Sequence, residues 1–130
     1  MADIIKSWPA SIPATDIADM FTEDAKYRAY YFTVGRCRPN VPVGRIWWTY
    51  RGRVIGSFKI DRFVVNDGSL PILGSISGGD EWTIKPDRWV AICESGGELL
   101  KERLFFAGFR GWRCFHLEEY RRSPESRMRL

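Results

Sequence analysis

The stretch that most constrains this chain is "RIWWTYRGRVIGSFKIDRF", Arg45 to Phe63, in which two runs of aromatic and β-branched residues enclose Arg51-Gly52-Arg53. Such residues suit a pleated surface, and a glycine between two such runs supplies the positive φ that a tight hairpin turn requires. The first arm predicts Ile46, Trp48 and Tyr50 on one face and Arg45, Trp47 and Thr49 on the other. The second predicts Val54, Gly56, Phe58 and Ile60 opposite Ile55, Ser57, Lys59 and Asp61. Both faces carry apolar residues, as in a barrel wall partly covered by helix.

The flanking segments extend this β-rich pattern. "YRAYYFTV" (27–34) and "RWVAICE" (88–94) read as strands, and "FRGWRCFHLEEY" (109–120) reads as a closing strand in which Arg113, Phe115 and Leu117 alternate with Trp112, Cys114 and His116. Between the first of these and the hairpin lies "RCRPNVPVG", a loop or edge, because Pro39 and Pro42 supply no ladder donors. "NDGSLPILGSISGGDEW" (66–82) has little periodicity and reads as a long irregular connection. "SGGELLKERL" (95–104) fits a helical turn or a loop equally. Near the start, "SIPATDIADMFTEDA" predicts a short helix with Thr15 as N-cap, Asp16 and Asp19 in the first turn, and Ile17, Met20 and Phe21 on one stripe.

The fold class expected is therefore α+β, mainly β: a small barrel or curled sheet of about five or six strands with one or two accessory helices. A chain of 130 residues fits one domain, assigned to 1–120, with "RRSPESRMRL" (121–130) as a polar, basic, disordered tail. No run of about 18 apolar residues is present and the first residues lack the layout of a secretory signal, so the expectation is a cytoplasmic protein without a membrane partner. Cys37, Cys93 and Cys114 are too scattered for a disulfide scaffold and read as reduced, mostly buried thiols. Cys114 and His116 lack a second pair of ligands, and neither a metal nor a cofactor is expected.

The balance of 20 Lys and Arg against 16 Asp and Glu gives a net charge of +4. The cations are mostly of one kind. Lys6, Lys26, Lys59, Lys85 and Lys101 are the only lysines, so arginine outnumbers lysine three to one. Arginine's planar fork grips phosphate and stacks on bases.

"RCRPNVPVGRIWWTYRGRVIGSFKIDRF", with "PDRWVAI" and "GFRGWRCFHL", resembles the PUA-like superfamily and its ASCH-type branch over residues 27–117. The resemblance implies a pseudo-barrel whose cleft, beside the helix, binds RNA or a single extruded modified base. Arginines on the rim would hold phosphates and an aromatic wall would stack a base. The residues assigned to this role are Arg36, Arg38, Arg45, Trp47, Arg51, Arg53, Arg110 and Trp112. In "LFFAGFRGWR", Phe106, like Phe115 beyond it, is expected in the core. Phe109, Arg110 and Trp112, set around Gly108 and Gly111, are candidates to face a ligand.

Two other classes stay open. Some ASCH-type proteins are small amidohydrolases or ribonucleases, but the lysine of their G-x-K loop has no counterpart in "VGRCRPN", and arginine does not give up its proton. A hydrolase would instead draw on Glu81, Thr83 and Lys85, which share one face if "GDEWTIKPD" is extended. The third class is a protein-interaction module of mobile-element origin whose basic surface docks an acidic protein. The sequence contains no nucleophile elbow, P-loop, dinucleotide fingerprint or H-E-x-x-H motif.

Overall fold

The computed structural model describes residues 2–27, 29–66 and 87–127, and it places an unanticipated strand, β1 (Ala2–Ser7), inside the main sheet. Ile4 and Ile5 are both buried. Neighbouring residues of a strand face opposite sides, so a strand covered on both faces shows no apolar–polar alternation. That is why β1 escapes a search for period two.

The predicted hairpin forms as β3 (Val43–Tyr50) and β4 (Arg53–Lys59), following β2 (Tyr30–Gly35). Arg51 and Gly52 have φ of 50° and 84°, the two successive positive angles of a two-residue turn that matches strand twist. The chain continues through β5 (Arg62–Val65), β6 (Trp89–Cys93), β7 (Glu98–Leu99) and β8 (Trp112–Phe115). These strands form a five-stranded sheet, β7-β4-β3-β1-β8, and a three-stranded sheet, β2-β6-β5. Only the β1–β3 pair is parallel among the described strands. The fold is mainly β with two short helices, and the described strands make two sheets, not one closed barrel.

Between the sheets lies one core. Ile4, Ile46, Trp48 and Phe58 of the large sheet meet Phe32, Val34, Ala91 and Cys93 of the small one. Trp8 stacks on Trp48 with centroids 4.3 Å apart. Helix α1 (Ala14–Asp19) adds Ile17, followed by Met20 and the half-buried Phe21, as the stripe predicts. Its N-cap is Pro13, with no side-chain cap bond, so Thr15 does not cap it. Phe21 packs so closely that a Cβ on Gly97 would lie 2.5 Å from its ring.

The opposite face of the large sheet has its own core, in which Ile5, Trp47, Val54 and Phe115 meet Leu104, Phe106 and Tyr120. Val54 sits here and not with Phe58, contrary to the alternation. Trp48 pairs with Gly56 but Thr49 pairs with Val54, so Ile55 is an extra residue that reverses the facing of the strand's start.

The C-terminal expectations also change. The closing strand stops at Phe115, and Leu117–Arg122 forms α2, with Glu118 and Glu119 in its positive first turn. Pro124–Arg127 then forms a 3-10 turn, so the described residues of the segment assigned to a disordered tail, 121–127, take up helical structure. The reason is backbone bonding: Phe105 N–H donates to Ser126 O at 2.7 Å, and the Tyr120 hydroxyl donates to Phe105 O. The ambiguous segment 95–104 contains β7. Of the three thiols only Cys93 is buried, against the expectation that most would be. No helix among the described residues is long and apolar enough to cross a membrane, and none of their His, Cys, Asp and Glu side chains form a metal-binding group.

Candidate functional site

The hairpin turn projects Arg51 and Arg53 from one end of the large sheet, and the rest of the site is assembled there by backbone hydrogen bonds. Val54 N–H donates to Leu104 O at 2.9 Å and Phe106 N–H to Gly52 O at 3.0 Å, which lays residues 104–106 along the turn and brings Arg103 beside it. The bond from Phe105 to Ser126 then adds Arg127. Gly52 is needed here for its φ of 84°, which a residue with a side chain rarely adopts; a Cβ there would only reach van der Waals contact with the Phe105 ring, at 3.4 Å.

Four arginines from three segments, Arg51, Arg53, Arg103 and Arg127, thus line one cleft of about 370 Å³ with Phe105 and Ser126. Among the described residues no carboxylate lines it and none of the four arginines is ion-paired. Glu102, the acid next to Arg103, is engaged by Arg121. Arg51 is held by the Ala10 carbonyl, which accepts from its Nε at 3.3 Å and Nη2 at 3.1 Å, and its guanidinium lies 4.8 Å from the Tyr50 ring centre. Arg53 Nε is buried and donates to no described acceptor. Uncompensated guanidiniums held together repel one another and create a positive potential that an anion relieves. Their forks match the oxygens of phosphate.

The eight residues singled out from sequence separate into three groups. Arg51 and Arg53 enter the cleft. Around Trp112, whose Nε1–H donates to Cys37 O at 3.2 Å, the β8 start meets the loop carrying Arg36 and Arg38, with Arg110 two residues away. In that second group Arg38 lies over the Trp89 ring at 5.0 Å, and half-buried Trp112 packs on the inner core. Arg45 and Trp47 belong to neither group. Arg45 donates to Ser57 Oγ and pairs with Glu98 at 3.3 Å. Trp47 is buried and its Nε1–H donates to Asp3 Oδ2 at 2.9 Å. Both are engaged by their own protein: Trp47 because its buried indole N–H requires an acceptor, and half-exposed Arg45 through its pairing with Glu98. Glu81, Thr83 and Lys85 lie outside the described residues.

Sequence reading missed Arg103 and Arg127, which stand far from the hairpin along the chain. It also missed Lys6, whose Nζ donates to Thr33 O at 2.8 Å and Val34 O at 3.1 Å and so ties the two sheets together. Burial pushes the Lys6 ammonium below its ordinary range.

No family profile, curated protein or solved structure matches this chain.

Proposed function

We propose that this chain is a nucleic-acid-binding module that holds the phosphates of RNA, or of a strand bearing a modified nucleotide, on Arg51, Arg53, Arg103 and Arg127. The observation that carries the reading is the convergence of four arginines on one cleft in which, among the described residues, no carboxylate lies and none of the four is ion-paired. Planar, always-charged forks suit phosphate oxygens, and the open shape suits a strand passing through. The Arg36, Arg38, Arg110 and Trp112 group supplies a second basic stretch for a longer strand. In the same reading the two facing sheets are the halves of a PUA-like, ASCH-type pseudo-barrel, supported by their shared core and by α1 at its side. The hydrolase alternative rests on Glu81, Thr83 and Lys85 and gains no support from the described residues.

The test is fluorescence anisotropy with a labelled single-stranded RNA decamer and its DNA counterpart, competed by unlabelled strand and by polyglutamate at equal charge. Nucleic-acid binding predicts salt-sensitive affinity that the strand competes away and polyglutamate does not. Equal competition by polyglutamate would instead indicate an acidic protein partner. No binding of either strand at 50 mM salt would end the proposal.

A further inference from the structure

The arginine cleft gathers more positive charge than the interior of a strand can match with negative charge in the same space. Its volume of about 370 Å³ is near the lower end of the roughly 300 to 1,000 Å³ typical of small-ligand sites, so it admits a group of about one nucleotide's size. An internal nucleotide carries a single diester charge. Facing it are four guanidiniums that stay protonated, and among the described residues no carboxylate lines the cleft to offset the surplus.

The cations are also anchored. Two of the five N–H groups of the Arg51 guanidinium go to the Ala10 carbonyl, which fixes its plane and leaves the others for a ligand. Arg53 is half-buried, and its backbone bridges to Phe105. Arg103 and Arg127 have exposed side chains on tethered backbones: Leu104 O accepts from Val54 N–H, and Ser126, 1% exposed, accepts from Phe105 N–H while its Oγ donates to Ser123 O at 2.9 Å. Like charges gathered on so fixed a frame favour a dense anion over a dilute one.

Resting on the phosphate reading above, we infer that the cleft receives the triphosphate end of a strand, the group that template-directed synthesis leaves on the first nucleotide. A terminal phosphate carries close to two charges at neutral pH and each further phosphate of the end chain adds one, so a triphosphate brings about four. That count equals the number of guanidiniums. The terminal phosphate also has three free oxygens where a diester has two, so more planar forks can meet it edge to edge. Such a site reads where a strand begins and not which bases follow.

The experiment measures anisotropy of internally labelled RNA decamers of one sequence that end in a 5′-hydroxyl, a 5′-monophosphate or a 5′-triphosphate. Wild type should bind the triphosphate strand at least about tenfold more tightly than the hydroxyl strand, with the monophosphate between them, since one added charge-assisted contact contributes that much or more. Arg103→Ala with Arg127→Ala should weaken all three and bring their affinities to within about twofold of one another. A thermal melt unchanged from wild type shows that the variant is folded.

If the three decamers bind wild type equally, the end site is refuted and the phosphate cleft stands. A monophosphate strand that binds as tightly as the triphosphate strand also refutes it, because a single dianion then satisfies the cleft. So does a triphosphate preference that survives in the double variant, since the end is then held elsewhere. Adenosine triphosphate displacing the triphosphate decamer at equal concentration would make the ligand a free nucleotide, again against the inference. If no decamer binds, the nucleic-acid reading itself falls, and this inference with it.

Discussion

Removing two of the four cleft arginines should change how binding responds to salt before it changes anything about folding. Arg103 and Arg127 are exposed and take part in no ion pair among the described residues, so Arg103→Ala with Arg127→Ala removes no ion pair of the described fold. On a single strand each neutralised phosphate contributes about −0.7 to the slope of log K against log salt. Four guanidiniums therefore account for about −2.8 and the remaining two for about −1.4. Raising salt from about 50 to about 200 mM then costs wild type about fiftyfold in affinity and the double variant about sevenfold. The assay is anisotropy of a labelled RNA decamer at four or five potassium chloride concentrations, with circular dichroism melts run alongside. Because the arginines meet phosphate and not base edges, the loss should be similar for strands of different sequence. A double variant that melts normally and keeps the wild-type slope would show that the phosphates lie elsewhere, first of all at Arg36, Arg38 and Arg110.

Four further outcomes follow from packing, titration and exposure. Gly97→Ala puts a methyl 2.5 Å from the Phe21 ring and 2.8 Å from the Phe58 ring, and should destabilise by about 1 to 3 kcal/mol in urea unfolding; a change below about 0.5 kcal/mol would contradict the seating of α1. Tyr120→Phe keeps the ring contact to Phe106, 4.9 Å between centroids, but removes the bond to Phe105 O, and should cost about 1 kcal/mol; no loss would mean that the hydroxyl does not anchor the loop. Burial, reinforced by Asp61, pushes the Cys93 thiol up from 9.0 to about 12, so the folded chain keeps a proton that the unfolded chain loses, and stability falls as pH rises through that window. Lys6, shifted downward, contributes with the opposite sign, so the comparison is wild type against Cys93→Ala, whose stability should fall less; identical alkaline curves would refute the assignment. In the native protein Cys37 and Cys114, both exposed, should react with a thiol reagent while Cys93 does not.

The sequence made some of this legible for definite reasons. The hairpin was readable because its turn needs a residue tolerant of positive φ, and Gly52 marks the place. The stripe of Ile17, Met20 and Phe21 was readable because one side of α1 is solvated. β1 was not, since adjacent Ile4 and Ile5 serve two cores at once. Neither was the bulge at Ile55, because an inserted residue changes facing without changing composition. The tail was misjudged on polarity. Its order depends on main-chain bonds to Phe105, to which composition is blind. Half of the cleft was hidden for the same reason: Arg103 and Arg127 reach it through bonds that residue types do not encode. Arg45 and Trp47 were chosen by type, and partners distant along the chain, Glu98 for Arg45 and Asp3 for Trp47, engage them.

The position of β1 sets the order in which this protein can be completed. Ile5 pairs with Trp47 on one side and with Arg113 on the other, so the earliest of the described strands is flanked by two that lie much further along the chain. On the ribosome β1 must wait for β3 to emerge. It then stays a bare edge, able to pair with a neighbouring nascent chain, until β8 is released. Pairings so distant delay ring closure and place refolding among the slower topologies, in milliseconds to seconds. A message truncated before Trp112 would yield a sheet with one open, apolar side and no arginine cleft beyond the hairpin and Arg103, a product prone to aggregate before it could bind anything.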